Sequence, residues 1–121
     1  MATILIVDDS SVMRKNLKSF LESAGHEVLG EAADGRELLS AYSYHQPDVV
    51  TLDISMPITD GITAMKTLIK SFPEAKVVIV SALGQKQQVL EAIRYGAKSY
   101  VVKPIDREKF LDIISRVAES K

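Results

Sequence analysis

Five side chains able to do chemistry each follow a short apolar run. Asp8 and Asp9 come after Ile4-Leu5-Ile6-Val7, Asp53 after Val49-Val50-Thr51-Leu52, Ser81 after Val77-Val78-Ile79-Val80, and Lys103 after Tyr100-Val101-Val102. Three carboxylates brought to one place repel one another, and ionising all of them is costly without a cation. Lys103 supplies one fixed positive charge. A hard divalent ion supplies the rest, and an all-oxygen ligand set that keeps several waters suits Mg²⁺ or Mn²⁺, not zinc. The whole set suits phosphoryl chemistry. The ion and the lysine neutralise phosphoryl oxygens, the hydroxyl bonds another, and a carboxylate attacks phosphorus.

Taken singly, each residue has an ordinary explanation. An aspartate after a strand is commonly a turn or cap residue, and Asp9-Ser10-Ser11 reads as the N-cap of a helix. Lys103 before Pro104 reads as a solvated loop lysine. The joint pattern carries the inference. No G-x-x-x-x-G-K-[ST] or G-x-G-x-x-G loop offers a nucleotide cradle. His26 and His45 fall toward the opposite ends of the elements and read as ordinary surface histidines, so no Ser/His/Asp triad is assembled.

The elements that would position these groups follow from the apolar period. Strands are expected at residues 4–7, 28–32, 49–52, 77–80 and 100–102. Met13, Leu17, Phe20, Leu21 and Ala24 recur at helical spacing, closed by Gly25. Leu38, Leu39 and Tyr42 follow Asp34-Gly35. Later helices carry Ile62, Met65, Leu68, Ile69 and Phe72, then Val89, Ala92 and Ile93 closed by Gly96, then Phe110, Ile113, Ile114, Val117 and Ala118. Five alternating βα units imply a parallel sheet with right-handed crossovers. Uninterrupted apolar strands are what a sheet covered on both faces requires. A closed eight-unit barrel takes about 250 residues, so 121 residues imply an open, doubly wound α/β sheet. Ligands of such sheets sit beyond the carboxyl ends of the strands, where the five residues are.

Composition narrows the function classes. The 121 residues contain no cysteine, which excludes disulfides, thiolate-bound metal and a thiol nucleophile. Fifteen basic against sixteen acidic residues leave a net charge of −1, against nucleic acid as a partner of this domain. No run approaches the ~18 apolar residues of a membrane span, and Met1-Ala2-Thr3 lacks the basic start of a signal peptide. The expectation is one cytoplasmic domain over residues 1–121, with no output domain after Ala118-Glu119-Ser120-Lys121.

The pieces Ile6-Val7-Asp8-Asp9, Leu52-Asp53-Ile54-Ser55-Met56-Pro57 with Asp60-Gly61, Ser81-Ala82, Gly96-Ala97 and Tyr100 with Lys103-Pro104 occur in order along nearly the whole chain. In them the sequence resembles the response-regulator receiver domains. The resemblance implies a flavodoxin-like (βα)5 fold with strand order 2-1-3-4-5. It implies that Asp53 accepts a phosphoryl group from a phosphohistidine on a sensor histidine kinase, or from a small acyl phosphate. Asp9, Asp53 and the backbone carbonyl of Ser55 would ligate Mg²⁺, with Asp8 acting through a metal-bound water. Ser81 and Lys103 would take phosphoryl oxygens, Tyr100 would be an aromatic switch, and the Lys103–Pro104 bond would be cis.

Gly30-Glu31-Ala32, Asp34-Gly35-Arg36-Glu37 and Ser81-Ala82-Leu83-Gly84-Gln85 are most similar to the chemotaxis-type, CheY-like receivers, which implies signalling to the flagellar motor switch. Leu90, expected to face outward, joins Tyr95, Lys98, Tyr100 and Lys109 as a candidate partner surface on a monomer. A phosphatase is a further possible partner. The alternatives are a single-domain phosphorelay intermediate or a receiver excised from a DNA-binding regulator. An aspartate-nucleophile phosphatase is more remote, since that class sets its nucleophile in Asp-x-Asp after the first strand, where this chain has Asp8-Asp9-Ser10. The domain is expected not to be an enzyme beyond assisting its own phosphorylation and dephosphorylation.

Overall fold

The structure, a computed structural model, describes residues 1–55 and 61–120. The readings at Met56, Pro57, Asp60 and Lys121 lie outside the described residues. Within them the chain runs β1 (Thr3–Val7), α1 (Ser11–Ser23), β2 (Glu27–Ala32), α2 (Leu38–His45), β3 (Val49–Asp53), α3 (Gly61–Ser71), β4 (Val77–Ser81), α4 (Lys86–Arg94), β5 (Ser99–Val102) and α5 (Arg107–Glu119). The strands are parallel, in the expected order β2-β1-β3-β4-β5. The chain steps outward from β1 to β2 and then returns past β1 to β3. Strand order therefore reverses beside the carboxyl end of β1, which opens a crevice there.

Side chains alternate across the sheet and feed two cores. On one face Leu5, Val7, Val50, Leu52, Val77 and Ile79 meet Leu38, Tyr42, Met65, Leu68, Val89 and Ala92 of α2, α3 and α4. On the other, Ile4, Ile6, Val49, Val78 and Val80 meet Leu17 and Leu21 of α1 and Phe110, Ile114 and Val117 of α5. Coverage on both faces is why β1, β3 and β4 are apolar without alternation. The edge strands β2 and β5 are only partly covered.

Helix ends follow local chemistry. Ser10 caps α1, its Oγ accepting the Met13 N–H at 3.1 Å, and Gly25 closes it at φ +86°. Ala24, placed on the apolar stripe by its spacing, is instead the exposed C-cap. A 3-10 turn, Gly35–Glu37, leads into α2. Leu38 and Tyr42 are four residues apart and share the buried face, while Leu39, about 100° further round, is 37% exposed. In α4, Val89 and Ala92 are buried but Ile93 is 39% exposed, because α4 lies toward the β5 edge, where no further described element covers it.

The histidines depart from the surface expectation. His26 is half-buried and its Nδ1 accepts the Ala2 N–H at 3.0 Å. Burial, with the charge of the chain terminus, lowers its basicity. His45, also half-buried, lays its ring against Gly30, where a Cβ would collide with it. Gly30 sits where the β1–β2 register skips a residue, and its missing side chain makes room for that ring.

Candidate acidic phosphoryl site

The sheet brings the aspartates together. Val7 pairs with Leu52, so Asp8 and Asp53 emerge side by side at the crevice, both 1% exposed. Asp9 follows on the solvent side. One carboxylate oxygen from each of Asp8, Asp9 and Asp53 lies within 4.8 Å of the others. The cap of α1 is Ser10, not Asp9, which removes the ordinary explanation of Asp9 as a helix cap.

Lys103 comes from the loop after β5. Its Nζ lies 3.1 Å from Asp53 Oδ2 and 3.9 Å from Asp8 Oδ2. The loop is held by the Lys103 N–H, which donates to the Ser81 carbonyl at 2.8 Å, and the Lys103–Pro104 peptide is cis, as expected. Ser81 is buried at the end of β4. Its Oγ donates to the Val101 carbonyl over a long 3.5 Å, a bond weak enough to exchange for a stronger acceptor. Tyr100, on β5, is 47% exposed.

The two buried carboxylates are held differently. Asp53 Oδ1 accepts the Ser55 N–H at 2.8 Å and the Ser55 hydroxyl at 2.5 Å, while Oδ2 faces Lys103. Asp8 Oδ1 accepts the Ser10 N–H at 2.9 Å, but Asp8 Oδ2 is buried without a hydrogen-bond partner. Burial pushes the Asp8 carboxyl up from 3.8 to about 6. The Ser10 N–H opposes that rise, Asp53 adds to it, Lys103 opposes it and Asp9 adds a little more. A buried carboxylate oxygen with no hydrogen bond is rare in a settled structure, and here, with only the distant Lys103 Nζ at 3.9 Å to offset it, it faces two more carboxylates. That donor set fits a hard divalent cation, with Asp8, Asp9 and Asp53 as the residues that would hold it.

Two supports escaped the sequence reading. Arg14, on α1, donates from its guanidinium to the Asp8 carbonyl at 2.6 Å and to Glu31 Oε1 on β2 at 3.1 Å, pinning the loop that carries Asp8 and Asp9. Gln85 accepts the Ala82 N–H at 2.7 Å through its side-chain oxygen. Neither belongs to an apolar period or a strand end; Gln85 lies in the segment Ser81-Ala82-Leu83-Gly84-Gln85 that carries the chemotaxis-type resemblance, but nothing in that segment announces its bond to Ala82. The candidate partner residues Leu90, Tyr95, Lys98, Tyr100 and Lys109 are all exposed on α4, β5 and α5 or the turns beside them. Val102, 37% exposed, joins them. Lys66 of α3 stacks 3.9 Å over the Tyr95 ring and pairs with Glu91 at 2.9 Å, which holds the end of α4 in place.

Comparison with known proteins agrees with this geometry. A family model described as the response regulator receiver domain matches residues 4–115. A chemotaxis protein CheY of Thermotoga maritima is 44% identical over 116 residues, covering 96% of this chain and 97% of the relative. A Bacillus subtilis protein named CcdB is 42% identical over 117 residues, covering 97% of this chain and 98% of the relative. Among solved structures, a CheX–CheY–BeF3–Mg²⁺ complex from Borrelia burgdorferi superimposes with TM-score 0.91 at 40% identity, covering 98% of this chain and 90% of that one. With its strand order, its crevice and a family match over almost its whole length, the chain belongs to the response regulator receiver domain family.

Proposed function

We propose that the chain is a chemotaxis-type receiver that takes a phosphoryl group on Asp53 and reports it through its own surface to a separate partner. The observation that carries the reading is the Asp53 carboxylate, buried between Lys103 and Ser55 beside Asp8 and Asp9. It is a nucleophile with a cation on one oxygen and a pair of acidic neighbours able to hold another. A divalent cation bound by Asp8, Asp9, Asp53 and the Ser55 carbonyl supplies charge neutralisation for the incoming phosphoryl oxygens. Mg²⁺ is the ion proposed, with Mn²⁺ as a substitute.

An Asp53 oxygen attacks phosphorus of a phosphohistidine or acyl phosphate, and the donor's bond to phosphorus breaks as the new one forms. Lys103 Nζ, already on Asp53 Oδ2, remains against the added negative charge. The Ser81 hydroxyl gives up its long bond to Val101 for a phosphoryl oxygen. That movement opens space for Tyr100 to turn inward, and the surface around Leu90, Tyr95, Lys98, Tyr100 and Lys109 changes with it. A partner that prefers the new surface shifts the equilibrium only by its difference in affinity for the two states. The proposed donor is a sensor histidine kinase. The proposed reader is the flagellar motor switch, in the cytoplasm, with a phosphatase resetting the site. The domain catalyses nothing beyond its own phosphorylation and dephosphorylation. Support for the motility role is the likeness to CheY proteins. A relative not named for chemotaxis is about as similar, so a single-domain phosphorelay intermediate stays as the second reading.

Intact mass after incubation with acetyl phosphate and Mg²⁺ tests the site. Wild type gains one phosphoryl group and Asp53→Asn gains none; equal labelling of the two refutes the assignment. Binding to motor-switch peptides that strengthens with a phosphoryl mimic separates the motility role from the relay.

A further inference from the structure

The loop between β4 and α4 is closed by a side-chain bond. Gln85, the residue that precedes the first turn of α4, does not cap that helix with its side chain. Its side-chain oxygen turns back instead and accepts the Ala82 N–H at 2.7 Å, while its backbone carbonyl accepts the Val89 N–H at 3.0 Å. One residue thus ties the start of the loop to the start of the helix. Between them Gly84 takes φ +88° and Leu83 is 80% exposed, so apolar packing of Leu83 does not hold the loop, while the Gln85 bond spans it.

The position of that donor matters. Asp53 pairs with Val80 across β3 and β4, and neighbouring strands lie about 4.8 Å apart. Ala82 is two residues beyond Val80 and immediately follows Ser81. Its N–H therefore stands at the carboxyl edge of the neighbouring strand, on the side to which a group added to Asp53 extends. Backbone N–H groups at such edges are good donors to phosphoryl oxygens.

We propose that Gln85 is an intramolecular latch: its side-chain oxygen occupies the Ala82 N–H in the resting domain, and a phosphoryl group on Asp53 must displace it, freeing the β4–α4 loop to rearrange. The inference deepens the phosphoacceptor reading and rests on it. Among the described residues Gln85 bonds to Ala82 and Val89 and not to the three carboxylates, so it acts as a positioning residue through Ala82.

Two measurements on the full chain separate the parts. The first is exchange of the Ala82 amide proton, followed by ¹⁵N NMR without any phosphoryl mimic. Protection is expected in wild type and in Gln85→Glu, whose carboxylate still accepts the bond, and its loss in Gln85→Ala. Equal exchange in all three overturns the latch. The second is the affinity for beryllofluoride with Mg²⁺. Removing a competing hydrogen bond is expected to tighten binding to Gln85→Ala about three- to tenfold, with no tightening for Gln85→Glu. Unchanged affinity in Gln85→Ala overturns the competition. No binding of beryllofluoride to wild type refutes the phosphoacceptor reading and the competition with it, while the exchange result still decides whether the latch exists.

Discussion

Asp8 shows how burial shapes chemistry at one residue. Its carboxyl is raised from 3.8 to about 6, chiefly by burial. A carboxyl whose folded value lies above its unfolded value stabilises the fold fully below the unfolded value. That contribution is lost as pH rises through the folded value. The metal-free protein is therefore expected to lose stability between about pH 4 and pH 7, by on the order of 1–3 kcal/mol from this group. Asp8→Asn keeps an oxygen for the Ser10 N–H and removes the charge. Urea unfolding across that range, without divalent ions, should give a flatter pH profile for the variant and a higher midpoint at pH 7. A wild type as flat as Asp8→Asn would contradict the assignment of burial as the cause. In the proposed reading that cost is the counterpart of function, since a site prepared for a cation is uncomfortable without one.

At the scale of elements, the site depends on how closely α3 approaches β3. Gly61 opens α3, and a Cβ there would lie 3.0 Å from the Asp53 carbonyl oxygen and 3.0 Å from Ile54 Cα. Both are backbone atoms that cannot swing aside. Alanine is the better helix former by about 1 kcal/mol, yet overpacking against backbone costs about 1–3 kcal/mol, and the clash wins. Gly61→Ala is expected to lower the melting temperature by several degrees and to slow phosphoryl uptake from acetyl phosphate, read by intact mass over time. A variant that melts higher and labels at the wild-type rate would show that the helix start is free to move. The same dependence on neighbours explains the exposed Ile93 and Leu39. A helical period names the residues that share a stripe, but the width of the stripe that is covered is set by what packs over it.

At the scale of the whole molecule, the near-zero net charge conceals an uneven distribution. Three carboxylates gather at one end of the crevice against Lys103. A cation that binds only the folded state adds stability by mass action, about 2.7 kcal/mol at a hundredfold excess over its dissociation constant. Thermal melts should therefore move up by several degrees when Mg²⁺ is added and return with a chelator. Asp9→Asn changes the most exposed of the three carboxylates, so under the proposed reading it should leave the metal-free melt nearly unchanged and remove most of the Mg²⁺ shift. A full shift in that variant would place the ion elsewhere.

Much of this protein was legible in the residues alone. Short, almost wholly apolar runs of three or four residues, set between helical stripes, require a covered parallel sheet. Four of the five strands end in a residue able to do chemistry, and the second, ending in Ala32-Ala33, does not, so Asp8, Asp9, Asp53, Ser81 and Lys103 could be named from the sequence. The geometry that joins them required the fold. Strand order sets Asp8 beside Asp53 and brings Lys103 across from β5, and no local pattern encodes which strands become neighbours. Burial of Asp8 Oδ2, the Arg14 bridge to the Asp8 carbonyl, the seat of His45 on Gly30 and the Gln85 bond to Ala82 were likewise invisible. Each depends on one side chain meeting a backbone group or a ring, with no period in the sequence to announce it. The apolar pattern determines which residues must be inside and at which strand ends the polar groups emerge. The packing of elements against one another decides how far apart those groups stand, and which of them are left needing a cation.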